Sequence, residues 1–182
     1  MNYIQTEVND VWIIAPKVFS DSRGYFVETF KKNEFEANIG VVNFVQDNES
    51  KSSFGVLRGL HYQKGEYSQA KLVRVIKGEV LDVAVDMRQS SPTFGKHVGV
   101  ILNEENKRQF FIPRGFAHGF LVLSEEAVFT YKVDNDYAPN EEASVLYNDK
   151  DLAINWPVAE SQLILSEKDR KAVSFKEACY FL

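Results

Sequence analysis

From Val11 to Tyr147 the chain runs in short stretches of alternating apolar and polar residues, broken at close intervals by Gly, Pro, Asn or Asp. A period of two marks strands with one face turned inward. The stretches predict strands over Tyr25 to Phe30, Phe44 to Asn48, Val56 to Tyr62, Lys71 to Ile76, Val80 to Met87, His97 to Leu102, Gln109 to Ile112, Phe120 to Leu123 and Val128 to Val133. In the clearest of these, Leu81, Val83, Val85 and Met87 share one face, and Asp82, Ala84 and Asp86 share the other. Lys77-Gly78-Glu79, between two such runs, predicts a hairpin turn in which glycine supplies a positive φ. Helices are few. Phe35 and Ile39, one turn apart, predict a short helix over Lys31 to Ile39 that Gly40 ends. Ser166 opens one or two helical turns as far as Ala172, with acids in the first turn. No repeat or linker divides the chain, so the pattern predicts one mainly β domain over residues 1–182, a sandwich or a barrel.

Composition strengthens that picture and narrows the function. An aromatic share of 13%, with 14 Phe and 8 Tyr, favours strands. A net charge of −5 argues against a nucleic-acid partner, which calls for a basic stripe against phosphates. Cys179 is the single cysteine, so no internal disulfide forms and a reducing compartment fits. The segment Met1 to Val11 has neither the basic start nor the apolar run of a signal peptide. No stretch approaches the roughly 20 apolar residues that span a bilayer. A cytoplasmic protein without a membrane partner is expected.

Two segments carry most of the chemistry. Arg58-Gly59-Leu60-His61-Tyr62-Gln63, with Lys71 after it, and Pro113-Arg114-Gly115-Phe116-Ala117-His118-Gly119-Phe120 are spaced like the two halves of a cupin barrel signature. That signature ordinarily holds a metal with His, His, Glu and a distal His. Here Gln63 stands at the second His position and Lys71 at the Glu position. An ammonium has no lone pair to offer a metal, and its charge repels a divalent cation. A metal-free pocket with a histidine and a cation points instead to acid–base chemistry.

A lone strand histidine is more often structural. Several titratable groups on one barrel interior are costly to bury, however, and a pocket that uses them is the simpler account. Neutral His61 is a suitable base near pH 7. A carboxylate on its other ring nitrogen would fix the tautomer, and the many aspartates leave that partner open. Tyr131 could supply an acid from across the pocket, although a strand Tyr is more often packing. Arg23, Arg58 and Arg114 each sit beside a glycine, which leaves room for a bulky anion; together they suggest a diphosphate clamp. His97, on an outer strand, is expected to be solvated, and Trp12 and Trp156 to serve packing.

The two segments just quoted, together with Phe19 to Glu28, Gln46 to Ser50, Gln69 to Val73, Asp86-Met87-Arg88, Ser91 to Gly95 and Leu165 to Asp169, resemble the dTDP-4-dehydrorhamnose 3,5-epimerase family over nearly the whole chain. The resemblance implies a cupin-type double-stranded β-helix, or jelly roll, that works without metal or cofactor, usually as a homodimer. It implies inversion of C3 and C5 of dTDP-4-dehydro-6-deoxy-D-glucose on the route to dTDP-L-rhamnose. By position, His61 is the implied base, Asp169 its orienting carboxylate, Lys71 the cation at the enolate oxygen and Tyr131 the acid. His118 and Lys168 are implied to line the sugar pocket. Arg23 and Arg58 are implied to hold the diphosphate, with Gln46 and Asn48 nearby, and Phe26, Glu28 and Tyr137 the nucleoside. Arg23, Phe26 and Glu28 typically come from the neighbouring subunit. The chain departs from the family at Tyr147, where a Trp is common. The alternatives are an epimerase acting at C3 or C5 alone, a sugar-nucleotide-binding cupin without turnover, and a metal-dependent cupin oxygenase or isomerase.

Overall fold

Every stretch in which apolar and polar residues alternate becomes a strand in the computed structural model, which describes residues 1–182. The chain opens with four short strands, β1 (Asn2–Gln5), β2 (Trp12–Ala15), β3 (Val18–Asp21) and β4 (Gly24–Val27). Helix α1 (Lys32–Asn38) leads to β5 (Gln46–Ser53), β6 (Leu57–Gln63), β7 (Lys71–Lys77), β8 (Glu79–Asp86) and β9 (His97–Asn103). Then come β10 (Gln109–Ile112), β11 (Phe116–Val122), β12 (Glu126–Val133), β13 (Glu142–Ser144) and the short helix α2 (Glu167–Arg170). The sequence pattern did not predict β1, β2, β3 and β13. At three or four residues each, they are too short to display a period.

The strands form a six-stranded sheet in the order β1-β2-β10-β7-β12-β5 and a five-stranded sheet in the order β13-β6-β11-β8-β9. Neighbours pair antiparallel throughout. Inward-facing rows from both sheets build the main core, with Val73 and Val75 of β7 and Phe129 of β12 facing Val80 and Ala84 of β8 and Phe116, Phe120 and Val122 of β11. This is the cupin-type jelly roll. The other face of the five-stranded sheet is also covered. Leu60, Tyr62, Val83, Val85 and Met87 pack beneath Val145, Leu152, Phe175 and Ala178 of the C-terminal segment. Both faces of β8 are therefore buried, and the aspartate-bearing face is the one turned into the barrel.

The turn at Gly78 is correct in kind and wrong in consequence. Gly78 has φ +79°, and a Cβ there would run into the Glu126 carbonyl. The strands it joins do not pair: β7 lies in the six-stranded sheet and β8 in the five-stranded one. Instead of closing a hairpin, the turn carries the chain across the barrel, and Glu79 bonds Leu123 and Ser124 at 2.9 and 2.8 Å. Helix α1 buries Phe35 against Ile14, Leu72 and Phe111 and ends before Gly40, as its spacing predicts. The β3–β4 hairpin pairs only with itself and leaves Phe19, Tyr25 and Phe26 at 49, 58 and 65% exposure. No helix is long and apolar enough to cross a membrane.

Candidate active site

Between the two sheets lies a cavity of about 600 Å³ whose wall includes Arg58, His61, Lys71, His118, Tyr131 and Asp169. A smaller recess of about 280 Å³ shares Asn48, His61, Lys71 and Tyr131 and adds Gln46, Tyr137 and Glu142. The strand pattern explains this convergence. Lys71 continues the inward row of Val73 and Val75, and Tyr131 sits across from Val73 on β12. On the facing sheet, His118 continues the inward row of Phe116 and Phe120 and pairs directly with His61 on β6.

Simple alternation would turn Arg58 and His61 to opposite faces, yet both reach the cavity. Between the pairs His118–His61 and Phe120–Arg58, β6 advances one residue more than β11. This bulge puts both side chains on one side.

His61 Nε2 lies 2.5 Å from Asp169 Oδ1. Burial works against the Asp169 carboxylate, but its bonds to His61 and Ser166 prevail and lower it to about 2. An ionised carboxylate only accepts, so Nε2 carries the proton and Nδ1 is left with a lone pair. A second pair lies beside the first, with His118 Nε2 at 2.9 and 3.1 Å from the two Asp82 oxygens. Burial pushes His118 down, and Asp82 only partly offsets it, which keeps that ring neutral near pH 7.

Burial also pulls the Lys71 ammonium down to about 8, against the charges of Asp82 and Glu142. Burial pushes the Tyr131 phenol up, Arg58 partly reverses this and Glu142 adds to it. No buried side-chain nitrogen or oxygen lacks a hydrogen-bond partner. Lys71 Nζ, Tyr131 Oη and the Nδ1 atoms of His61 and His118 have none within the protein, so all four open onto the cavity. The site therefore offers a base, an acid and a cation around one space.

Comparison with known proteins places this arrangement. The family model described as dTDP-4-dehydrorhamnose 3,5-epimerase matches residues 5–177. The chain belongs to the dTDP-4-dehydrorhamnose 3,5-epimerase family. The dTDP-4-dehydrorhamnose 3,5-epimerase of Shigella flexneri is 57% identical, with all of both chains covered. The crystal structure of the enzyme of that name from Elizabethkingia anophelis NUHP1 superposes with a TM-score of 0.95 at 56% identity, covering 99% of each chain. A dTDP-6-deoxy-D-glucose-3,5-epimerase from Legionella pneumophila, solved in complex with dTDP-4-keto-L-rhamnose, gives 0.94 at 52% identity, covering 98% of this chain and 94% of that one.

Within this member of the epimerase family, the structure brings together His61, Asp169, Lys71, Tyr131, Arg58, His118 and Asn48 around the main cavity, and Gln46 and Tyr137 around the recess. Lys168, on α2, reaches Glu142, which also accepts from Tyr137 Oη at 2.8 Å. Three residues stand apart. Arg23, Phe26 and Glu28 are exposed on or beside the β3–β4 hairpin, where Arg23 pairs with Asp21 at 2.6 Å, and none lines the cavity of its own chain.

Two expectations are corrected. Arg114 is not part of an anion clamp, because its guanidinium is held by Asp134 at 2.8 Å and fixes the end of β12. His97 is half-buried rather than solvated, and burial pushes it down. Gln63, at its ligand-like position, has its amide committed to three loop groups. It donates to the Tyr67 and Asp136 carbonyls at 2.8 and 3.0 Å and accepts from the Ala138 N–H at 2.6 Å.

The sequence reading missed Asp82 and Glu142 as site residues. Asp82 had a visible signal, an acid on the face that carries the core residues Val80 and Ala84. Glu142 had none, since β13 shows no pattern.

Proposed function

We propose that the chain inverts C3 and C5 of dTDP-4-dehydro-6-deoxy-D-glucose, giving dTDP-4-dehydro-L-rhamnose, with its own side chains as the proton carriers. Both carbons flank the C4 ketone, so loss of either proton yields an enolate with its charge on the ketone oxygen. His61 Nδ1 takes the proton, and the imidazolium is held through Nε2–H by Asp169. The Lys71 ammonium faces the developing oxyanion, a contact strongest in the transition state. Tyr131 then returns a proton to carbon, and its phenolate is neutralised by solvent or by proton return from His61 at the end of each cycle.

The observation that carries this reading is the placement of base and acid on opposite sheets. His61 lies on β6 of the five-stranded sheet and Tyr131 on β12 of the six-stranded one, both facing the same cavity. A planar enolate between them loses its proton from one face and regains one from the other, which is what inversion requires.

Arg58, with Gln46 and Asn48, would hold the diphosphate. Tyr137 would meet the nucleoside, and His118 and Lys168 the sugar. We read the exposed hairpin with Arg23, Phe26 and Glu28 as completing the cavity of a second copy in a cytoplasmic homodimer. The apolar surface left open at Phe19 and Phe26 supports this.

The test is a proton NMR time course of the substrate with the enzyme in D2O. Deuterium is expected at both C3 and C5, at a rate unchanged by a chelator. Exchange at one position alone would contradict the double inversion.

A further inference from the structure

We infer that Ser166 is a positioning residue of the epimerisation, holding the Asp169 carboxylate in the orientation that serves His61. The inference rests on the proposed role of the His61–Asp169 pair. Asp169 Oδ1 accepts from His61 Nε2 at 2.5 Å and from the Gly59 N–H at 3.3 Å. Asp169 Oδ2 accepts from Ser166 Oγ at 2.5 Å and from the Ser166 N–H at 3.4 Å. The same Ser166 hydroxyl accepts from the Asp169 N–H at 3.1 Å.

These contacts are the capping box of α2, in which Ser166 is the N-cap and Asp169 the third helical residue. A capping box ordinarily ties down a helix end. Here its acid is nearly inaccessible and turns its second oxygen to a histidine in the cavity wall, where Ser166 also lies. One hydroxyl therefore fixes both the start of the helix and the plane of the carboxylate. With one oxygen pinned by Ser166, the other has to face His61. Without the hydroxyl, Oδ2 keeps only the long Ser166 N–H contact at 3.4 Å, and the terminal torsion, a broad one with little intrinsic preference, is held less firmly.

The chain contains its own control. Ser174 forms a second capping box, in which its Oγ donates to Glu177 at 2.6 Å. That acid touches no histidine and lies outside the cavity. Removing either hydroxyl takes away a bond of the same kind, from a serine Oγ to the acid three residues on, and only one of those acids is joined to the base.

The test compares Ser166→Ala, Ser166→Thr, Ser174→Ala and Asp169→Asn in the full chain. It follows C3 and C5 deuterium exchange with kcat and KM resolved, together with thermal melting. Ser166→Ala is expected to lower kcat about tenfold with KM within twofold, as small misorientations at a reacting centre do. Ser166→Thr is expected to restore the rate, while Ser174→Ala melts earlier with kcat unchanged.

If Ser166→Ala only melts earlier, with wild-type kcat at temperatures where it is folded, Ser166 is a cap alone and the inference fails. A loss of rate that threonine does not restore overturns it too. Asp169→Asn keeps the two failures apart. If it retains wild-type exchange, the His61–Asp169 reading itself fails; if it loses exchange while Ser166→Ala does not, only the role of Ser166 is overturned.

Discussion

Burial pulls the Lys71 ammonium down to about 8, which makes its charge, and the oxyanion contact proposed for it, sensitive to pH in that range. Below that value the ammonium is present to meet an enolate oxygen, and above it the charge is lost. The kcat profile is therefore expected to carry an alkaline limb near pH 8. Lys71→Met is expected to slow exchange at least a hundredfold, the scale of losing a group that stabilises an oxyanion. Asp169 works at the other end of the scale. Its carboxyl is lowered from 3.8 to about 2, so the stabilisation it lends the fold is present above pH 4 and is lost as pH falls toward 2. Asp169→Asn is expected to flatten the acid side of a stability-against-pH curve over that interval. His61→Ala is expected to abolish exchange and leave dTDP affinity within a few-fold, because the role proposed for the imidazole is on a carbon acid and not on the diphosphate. Arg58→Ala is expected to do the reverse, and equilibrium binding of dTDP separates the two.

At the scale of elements, the long strands were legible because their period is long enough to be seen; they gave a mainly β sandwich or barrel, and the jelly roll came from the resemblance to a known family. Four short strands were not legible. The connection at Gly78 was misread, because a tight turn between two apolar runs looks the same whether the runs pair or part. What decides it is the β11–β12 connection, which takes up Glu79 through Ser124 and Leu123, and no local pattern announces that. Gly78→Ala places a side chain at φ +79° against the Glu126 carbonyl. It is expected to cost about 2 kcal/mol or more, by the usual penalty of that conformation together with a clash. Thermal melting should then show a fall of at least about 4 °C. Much of the site was legible through positions shared with known relatives, above all His61, Lys71 and His118 on their inward rows. Arg58 defied alternation, because a one-residue bulge turned it toward His61. The pairing of His61 with Asp169 joins residues far apart in sequence and could not be reached from local spacing alone.

The molecule as a whole is a vessel formed by two sheets, apolar where Phe110, Phe120 and Phe129 meet and polar where Lys71, His118 and Asp82 continue the same inward rows. His61 stands on one wall and Tyr131 on the other, and under the proposed roles that placement sets the stereochemistry. Within one chain the cavity wall lacks Arg23, Phe26 and Glu28, and the proposed homodimer, in which each hairpin reaches its neighbour, would supply them. A deletion of the hairpin is then expected to leave the His61–Asp169 pair intact while weakening dTDP binding. The measurement that bears most directly on the two-wall account is deuterium exchange by the Tyr131→Phe variant in D2O, followed by NMR alongside product formation. Wash-out of the carbon-bound protons should continue through His61 while inversion falls about a hundredfold. Wild-type inversion by this variant, or loss of wash-out in strict proportion to loss of inversion, would contradict a separate acid on the opposite wall.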